Sequence, residues 1–163
     1  MNPVRNYYSY GAKSVVKLIS TFFYAGYVPK IPGTAGSVCG LLIFFLVGHS
    51  LSATIIALSV LTAAALMVIR EAEDIFGQKD SRQIVIDEVI GMMIALLFIP
   101  MKPVFIILAF VLFRVFDITK PFPIRRIEKM ESPWGVVLDD VLAAVYANIS
   151  VQIIAIFALK SGV

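Results

Sequence analysis

Long uncharged stretches alternate with short charged ones along residues 34–159. Residues 51–69 contain no charged side chain and are interrupted only by Ser and Thr. At 1.5 Å per helical residue such a stretch matches a hydrocarbon core of about 30 Å, and it stops against Arg70, Glu71, Glu73 and Asp74. Further apolar runs occupy residues 84–100, 104–118 and 136–159, with Pro100, Met101, Lys102 and Pro103 as the turn between the first two. A shorter run, 34–48, is nearly pure in its second half, and Gly48, His49 and Ser50 turn it into the next. Residues 14–27 differ, because Lys13 and Lys17 flank or enter a mostly apolar stretch. That pattern predicts a helix lying in a membrane interface. The expected fold is an all-α polytopic membrane helix bundle of about five spans, or four if the short first run does not cross. It forms one domain over 1–163, with 1–30 as an N-terminal interfacial segment and 31–160 as the bundle.

Composition strengthens this reading. The 163 residues are 60% hydrophobic and 15% charged, whereas a soluble domain is about 45–50% apolar and about 25% charged. The surplus excludes a disordered chain and a nucleic-acid-binding tail, and it needs lipid to cover it. The net charge of +3 then reports orientation rather than a nucleic-acid partner. Arg5, Lys13, Lys17 and Lys30 precede the first run; Arg70, Lys79 and Arg82 follow the second; Lys120, Arg125, Arg126 and Lys129 follow the fourth. Only Lys102 and Lys160 fall on the opposite side, which puts the N-terminus and the basic loops in the cytoplasm. One cysteine, Cys39, leaves no intramolecular disulfide or cysteine-based zinc site, and one histidine, His49, excludes any mechanism that needs two.

Ionisable residues intrude into these runs. Asp87 and Glu88 open the third, Arg114 and Asp117 close the fourth, and Asp139 and Asp140 lie near the start of the fifth. The five carboxylates therefore share one leaflet and a similar depth. Acids so placed face a bundle interior with partners, and they repel one another in a low dielectric. A bound multivalent cation relieves that repulsion, with Arg114 and Lys120 as secondary compensation. Oxygen ligands with no His or Cys nearby select a hard ion such as Mg²⁺. Small residues (Gly36, Gly40, Gly91, Ala143 and Ala144) let the helices that carry these acids approach closely.

Groups suited to phosphate stand beside the acids. The segment PGTAGS at 32–37 reads as a curling loop whose N–H groups cradle an anion, with Gly33, Thr34, Gly36 and Ser37 as its members. Arg114, Asp117 and Lys120 recur every three residues and share a helical face. Pro121 and Pro123 then end that helix and turn Arg125 and Arg126 toward the headgroup layer, where guanidinium groups bind phosphate bidentately.

With these residues assembled, the sequence resembles the phosphatidylglycerophosphatase A family. PGTAGS at 32–37, DEVIGM at 87–92, FRVFDITKPFPI at 113–124 and GVVLDDVLAAVYAN at 135–148 carry the match. Ala144 departs from the pattern, where Gly is common. The resemblance implies a Mg²⁺-dependent phosphatase of the bacterial inner membrane, with a membrane phospholipid, phosphatidylglycerophosphate, as substrate and a cytoplasm-facing site. Asp87, Glu88, Asp117, Asp139 and Asp140 are the expected metal ligands, and Arg114 and Lys120 the expected stabilisers of the phosphoryl oxygens. A carboxylate-based cation or proton transporter and a CDP-alcohol phosphatidyltransferase-like enzyme are the alternatives. The first predicts polar residues continuing into the outer halves of the spans, which are nearly bare; the second predicts an Asp-Gly dipeptide, which does not occur.

Overall fold

The computed structural model describes residues 3–131 and 133–160, and these are helical without any strand. The order is α1 (Pro3–Ser20), a 3-10 turn (Ala25–Tyr27), α2 (Pro32–Val47), α3 (Leu51–Phe76), α4 (Ile86–Ala95), α5 (Pro103–Thr119), α6 (Ile124–Ile127) and α7 (Trp134–Lys160).

Local chemistry sets most of the boundaries. Pro32 and Pro103 stand in the opening turns of α2 and α5, where a missing N–H costs nothing. Ser50 caps α3 by accepting the Ala53 N–H at 3.4 Å, and Gly77, at φ +74°, ends it in the left-handed region. The helix thus runs past the apolar stretch through the charged residues 70–76. Helices α3 and α7, of 26 and 27 residues, are long and apolar enough to cross a bilayer. The other three expected spans are shorter: α2 has 16 residues, α5 has 17 and α4 only 10.

The largest departure from expectation is α4. The apolar run continues to Ile99, yet the helix stops at Ala95, a length of about 15 Å. Neither Gly nor Pro stands at the break. The amide of Asn148, on α7, instead donates to the carbonyls of Ala95 and Leu97 at 3.0 and 2.7 Å, and reaches Ile94 O at 3.4 Å. Residues 14–27 also divide: α1 ends at Ser20, and the chain reverses through Phe22, Phe23 and Tyr24, all at positive φ.

Helix α4 is the axis of the fold, with nearly every side chain buried. On one side Met92, Met93 and Leu96 pack with Phe44, Phe113, Ala143 and Ala147; on the other Ile86 and Ile90 pack with Ala65, Ile69, Val136 and Val137. Gly40 is required here, because a Cβ on it would lie 2.5 Å from Val89 O of α4. Large apolar residues cover the outward faces instead: Leu46 is 81% exposed, Met67 79% and Phe157 67%. So many large exposed apolar side chains suggest a membrane protein.

Candidate active site

The acids come together where α4, α5 and α7 meet beside the first turn of α2. Residues 77–85 return the chain from α3, and the Val85 N–H donates to Ser20 O at 2.9 Å, which fixes where α4 begins. Asp87 and Glu88 then fall in its first turn, where the helix dipole favours anions. Helix α7 begins at Trp134, so Asp139 and Asp140 lie in its second turn, not its first. Asp87 and Asp139 each accept the N–H of the following residue, at 3.1 and 2.9 Å, and these bonds aim the carboxylates inward.

The five acids named from sequence do not act alike. Carboxylate oxygens of Asp87, Glu88 and Asp140 lie within 4.8 Å of one another. Asp117 lines the same cavity as the trio and forms an ion pair with Arg114, whose Nη1 is 2.7 Å from its Oδ2. Asp139 is taken by Lys120, whose Nζ is 2.6 Å from Asp139 Oδ2 and 2.9 Å from Glu128 Oε1. Burial opposes the charge on Lys120, but its bonds to Asp139 and Glu128 outweigh that cost and lift its pKa above the usual lysine value.

Two oxygens of the trio are left over. Glu88 Oε2 and Asp140 Oδ2 are buried with no hydrogen-bond donor, and such orphaned groups demand an explanation. The three residues offer only carboxylate oxygens as ligands, a donor set suited to a hard cation. A buried carboxylate trio with open lone pairs fits a metal ion, and Asp87, Glu88 and Asp140 are the residues that could hold one.

A cavity of about 410 Å³ opens onto these groups, lined by Asp80, Ser81, Arg82, Asp87, Glu88, Asp117, Lys120, Asp139 and Asp140. Asp80 was not apparent from the sequence, being one charge among many in residues 70–83. Burial holds its carboxyl above the ordinary aspartate value, with Lys120 pulling the other way. Glu128, likewise unforeseen, reaches the site through Lys120.

The phosphate-binding candidates separate too. Residues 33–37 are the opening turns of α2 rather than a loop. Gly33 faces the acids: a Cβ on it would sit 2.5 Å from Glu88 Oε1 and 2.8 Å from Arg114 Nη2. Gly36 presses on Val85 and Glu88 Cβ. The Ala35 N–H opens the α2 ladder by donating to Ile31 O at 3.0 Å, so the N–H groups of Gly33 and Thr34 precede it. The buried Ser37 hydroxyl donates to Gly33 O at 2.9 Å and so serves its own helix. Arg125 and Arg126 are exposed and lie outside the cavity; Arg125 donates to Thr119 O at 3.4 Å, and Arg126 stacks 4.9 Å from the Phe122 ring.

These features define a class: a helical protein with an apolar exterior and a recessed, oxygen-lined acidic site at one end. The chain belongs to the phosphatidylglycerophosphatase A family, whose model matches residues 18–155, and it is a phosphatase. It is 38% identical over 151 residues to "Phosphatidylglycerophosphatase A" of Haemophilus influenzae, covering 89% of this chain and 88% of that protein. It is 32% identical over 133 residues to the protein of the same name in Escherichia coli, covering 78% and 76%. It is also 39% identical over 145 residues to a Bacteroides thetaiotaomicron protein named "Putative phosphatidylinositol-3-phosphatase", covering 83% and 91%. No solved structure matches the chain.

Proposed function

We propose that the protein hydrolyses the phosphate monoester of phosphatidylglycerophosphate to phosphatidylglycerol and inorganic phosphate, using Mg²⁺ held by Asp87, Glu88 and Asp140. The observation that carries this is the pair of orphaned oxygens, Glu88 Oε2 and Asp140 Oδ2, within a trio of carboxylates 4.8 Å or less apart. Family membership supports the phosphatase chemistry and sets the transporter and the transferase aside.

When bound, Mg²⁺ supplies a Lewis acid that polarises the phosphoryl group and acidifies water. The chain's own residues do the rest. Arg114, packed between Gly33 and Asp117, offers N–H donors to oxygens that gain charge as the P–O bond breaks. The open first turn of α2 adds the Gly33 and Thr34 N–H groups and its positive dipole end. Asp117 orients Arg114, and Lys120 neutralises Asp139 so that the cavity does not repel an anionic headgroup. Arg125 and Arg126, outside the cavity, attract the anionic lipid surface.

In this reading the site faces the cytoplasm from a bacterial inner membrane. Helices α2, α3, α5 and α7 cross it, and α4 with residues 96–102 completes the fifth pass. The exposed apolar faces support this, as does the positive-inside distribution of basic residues. A phosphomonoester at headgroup level then reaches the cavity while its acyl chains stay in lipid.

The Bacteroides relative favours a second substrate, a phosphoinositide monoester. Phosphate release by detergent-purified protein from each lipid, with and without EDTA, decides between them. Faster release from phosphatidylglycerophosphate, abolished by EDTA, is expected; release from neither lipid would refute the assignment.

A further inference from the structure

Helix α4 ends at Ala95, well short of Pro100, the first residue of its own sequence that would stop it. Leu96, Leu97 and Phe98 are competent to continue a helix, whereas Ile99 is held out of the α region by Pro100. Phe98 instead adopts φ +59°, a left-handed conformation that an aromatic residue reaches only under constraint from its surroundings. The carbonyls just before Phe98 are held by another helix. The Asn148 amide nitrogen, on α7, lies 2.7 Å from Leu97 O, 3.0 Å from Ala95 O and 3.4 Å from Ile94 O. Its orientation is fixed in turn, because the Gln152 amide donates to Asn148 Oδ1 at 2.7 Å. The opposite end of the same ten-residue helix carries Asp87 and Glu88.

We propose that Asn148, locked by Gln152, is a positioning residue for the phosphatase site: it terminates α4 at Ala95 and so sets the depth and rotation at which Asp87 and Glu88 meet Asp140. At ten residues, α4 is under three turns long, so its two ends are close enough for one to bear on the other. Carbonyls without a partner in an apolar setting are costly, so without the amide the break has no reason to stay where it is. Allowing α4 to wind onward through residues 96–98, up to the limit set by Pro100, alters the pull on its far end. Asn148 and Asp140 lie on the same helix α7, which fixes both ends of α4 to one rigid reference. The assignment does not depend on which metal or lipid the site takes.

The test is Asn148→Leu, which keeps the branched shape and heavy-atom count of the side chain and removes the donor. In detergent-purified protein, kcat for lipid-phosphate hydrolysis is expected to fall about tenfold with KM for the lipid unchanged, whereas a purely structural role lowers the folded fraction and leaves kcat per folded molecule intact. Hydrogen–deuterium exchange supplies a readout besides activity: amides 86–91, at the site end of α4, are expected to exchange faster in the variant. Exchange changes confined to residues 94–99, or a kcat within twofold of the parent, would overturn the proposal. If Asn148→Leu does not fold, Gln152→Leu leaves the amide in place but unfixed. It is expected to lower kcat about threefold with the same exchange pattern, and unchanged kcat in that variant would overturn the proposal equally.

Discussion

The Lys120 ammonium lies 2.6 Å from Asp139 Oδ2, across the seam between the end of α5 and the second turn of α7. Glu128 completes the arrangement at 2.9 Å. One cation thereby joins the two helices that carry Arg114, Asp117 and Asp140, and it neutralises an acid beside the carboxylate trio.

Replacing Lys120 with Met leaves the 4%-exposed Asp139 without its cation. Loss of a hydrogen bond to a charged group costs about 1.5–3 kcal/mol, so thermal unfolding in detergent is expected to move down by several degrees. The folded-state pKa of Lys120 is raised, so its contribution is complete below the ordinary lysine value and fades only as the pH rises through the folded-state value. The shift in melting temperature should therefore be the same at about pH 7.5 and about pH 9. A penalty that vanishes by pH 9 would contradict this pairing.

Gly33→Ala tests the approach of α2 to the acids. The added Cβ would lie 2.5 Å from Glu88 Oε1 and 2.8 Å from Arg114 Nη2, so both must move. A misplacement of that size at a reacting centre costs about 100-fold, and kcat is expected to drop by that order. Gly11→Ala, where nothing lies within 4 Å, should leave it unchanged. Equal activity in the two variants would separate α2 from the chemistry.

Arginines divide by location. Arg114→Ala removes a donor inside the site, and kcat is expected to fall about 100- to 1000-fold. Arg125→Ala and Arg126→Ala remove exposed charges worth about 1 kcal/mol each near an anionic lipid surface. They should raise the apparent KM about fivefold in low salt and hardly change kcat. Kinetics on mixed micelles at two salt concentrations distinguish these patterns.

Much of this arrangement is legible in the sequence because acids interrupt otherwise uncharged runs. Asp87, Glu88, Asp117 and Asp140 each sit where a run meets its boundary, and helical geometry converts that shared position into a shared depth. What escapes the sequence depends on partners distant along the chain. The division of the acids is decided by which side chain Arg114 and Lys120 reach, not by spacing. Residues 33–37 read as a loop on their glycines, yet Pro32 starts a helix there and the glycines serve close packing on α4. Asp80 is hidden among the charges of residues 70–83, and only the return of the chain at Val85 brings it to the cavity. The end of α4 escapes because its cap, Asn148, is more than fifty residues away.

On the proposed function, hydrolysis depends on an ion that Asp87, Glu88 and Asp140 hold together. Titration of Mg²⁺ into EDTA-stripped, detergent-purified protein by calorimetry, for the parent chain and for Glu88→Gln and Asp140→Asn, tests it most directly. Saturable binding by the parent and at least tenfold weaker binding by each variant, with phosphate release falling in parallel, is the predicted result. Equal Mg²⁺ affinity in all three proteins, or phosphate release that persists after stripping, would contradict it.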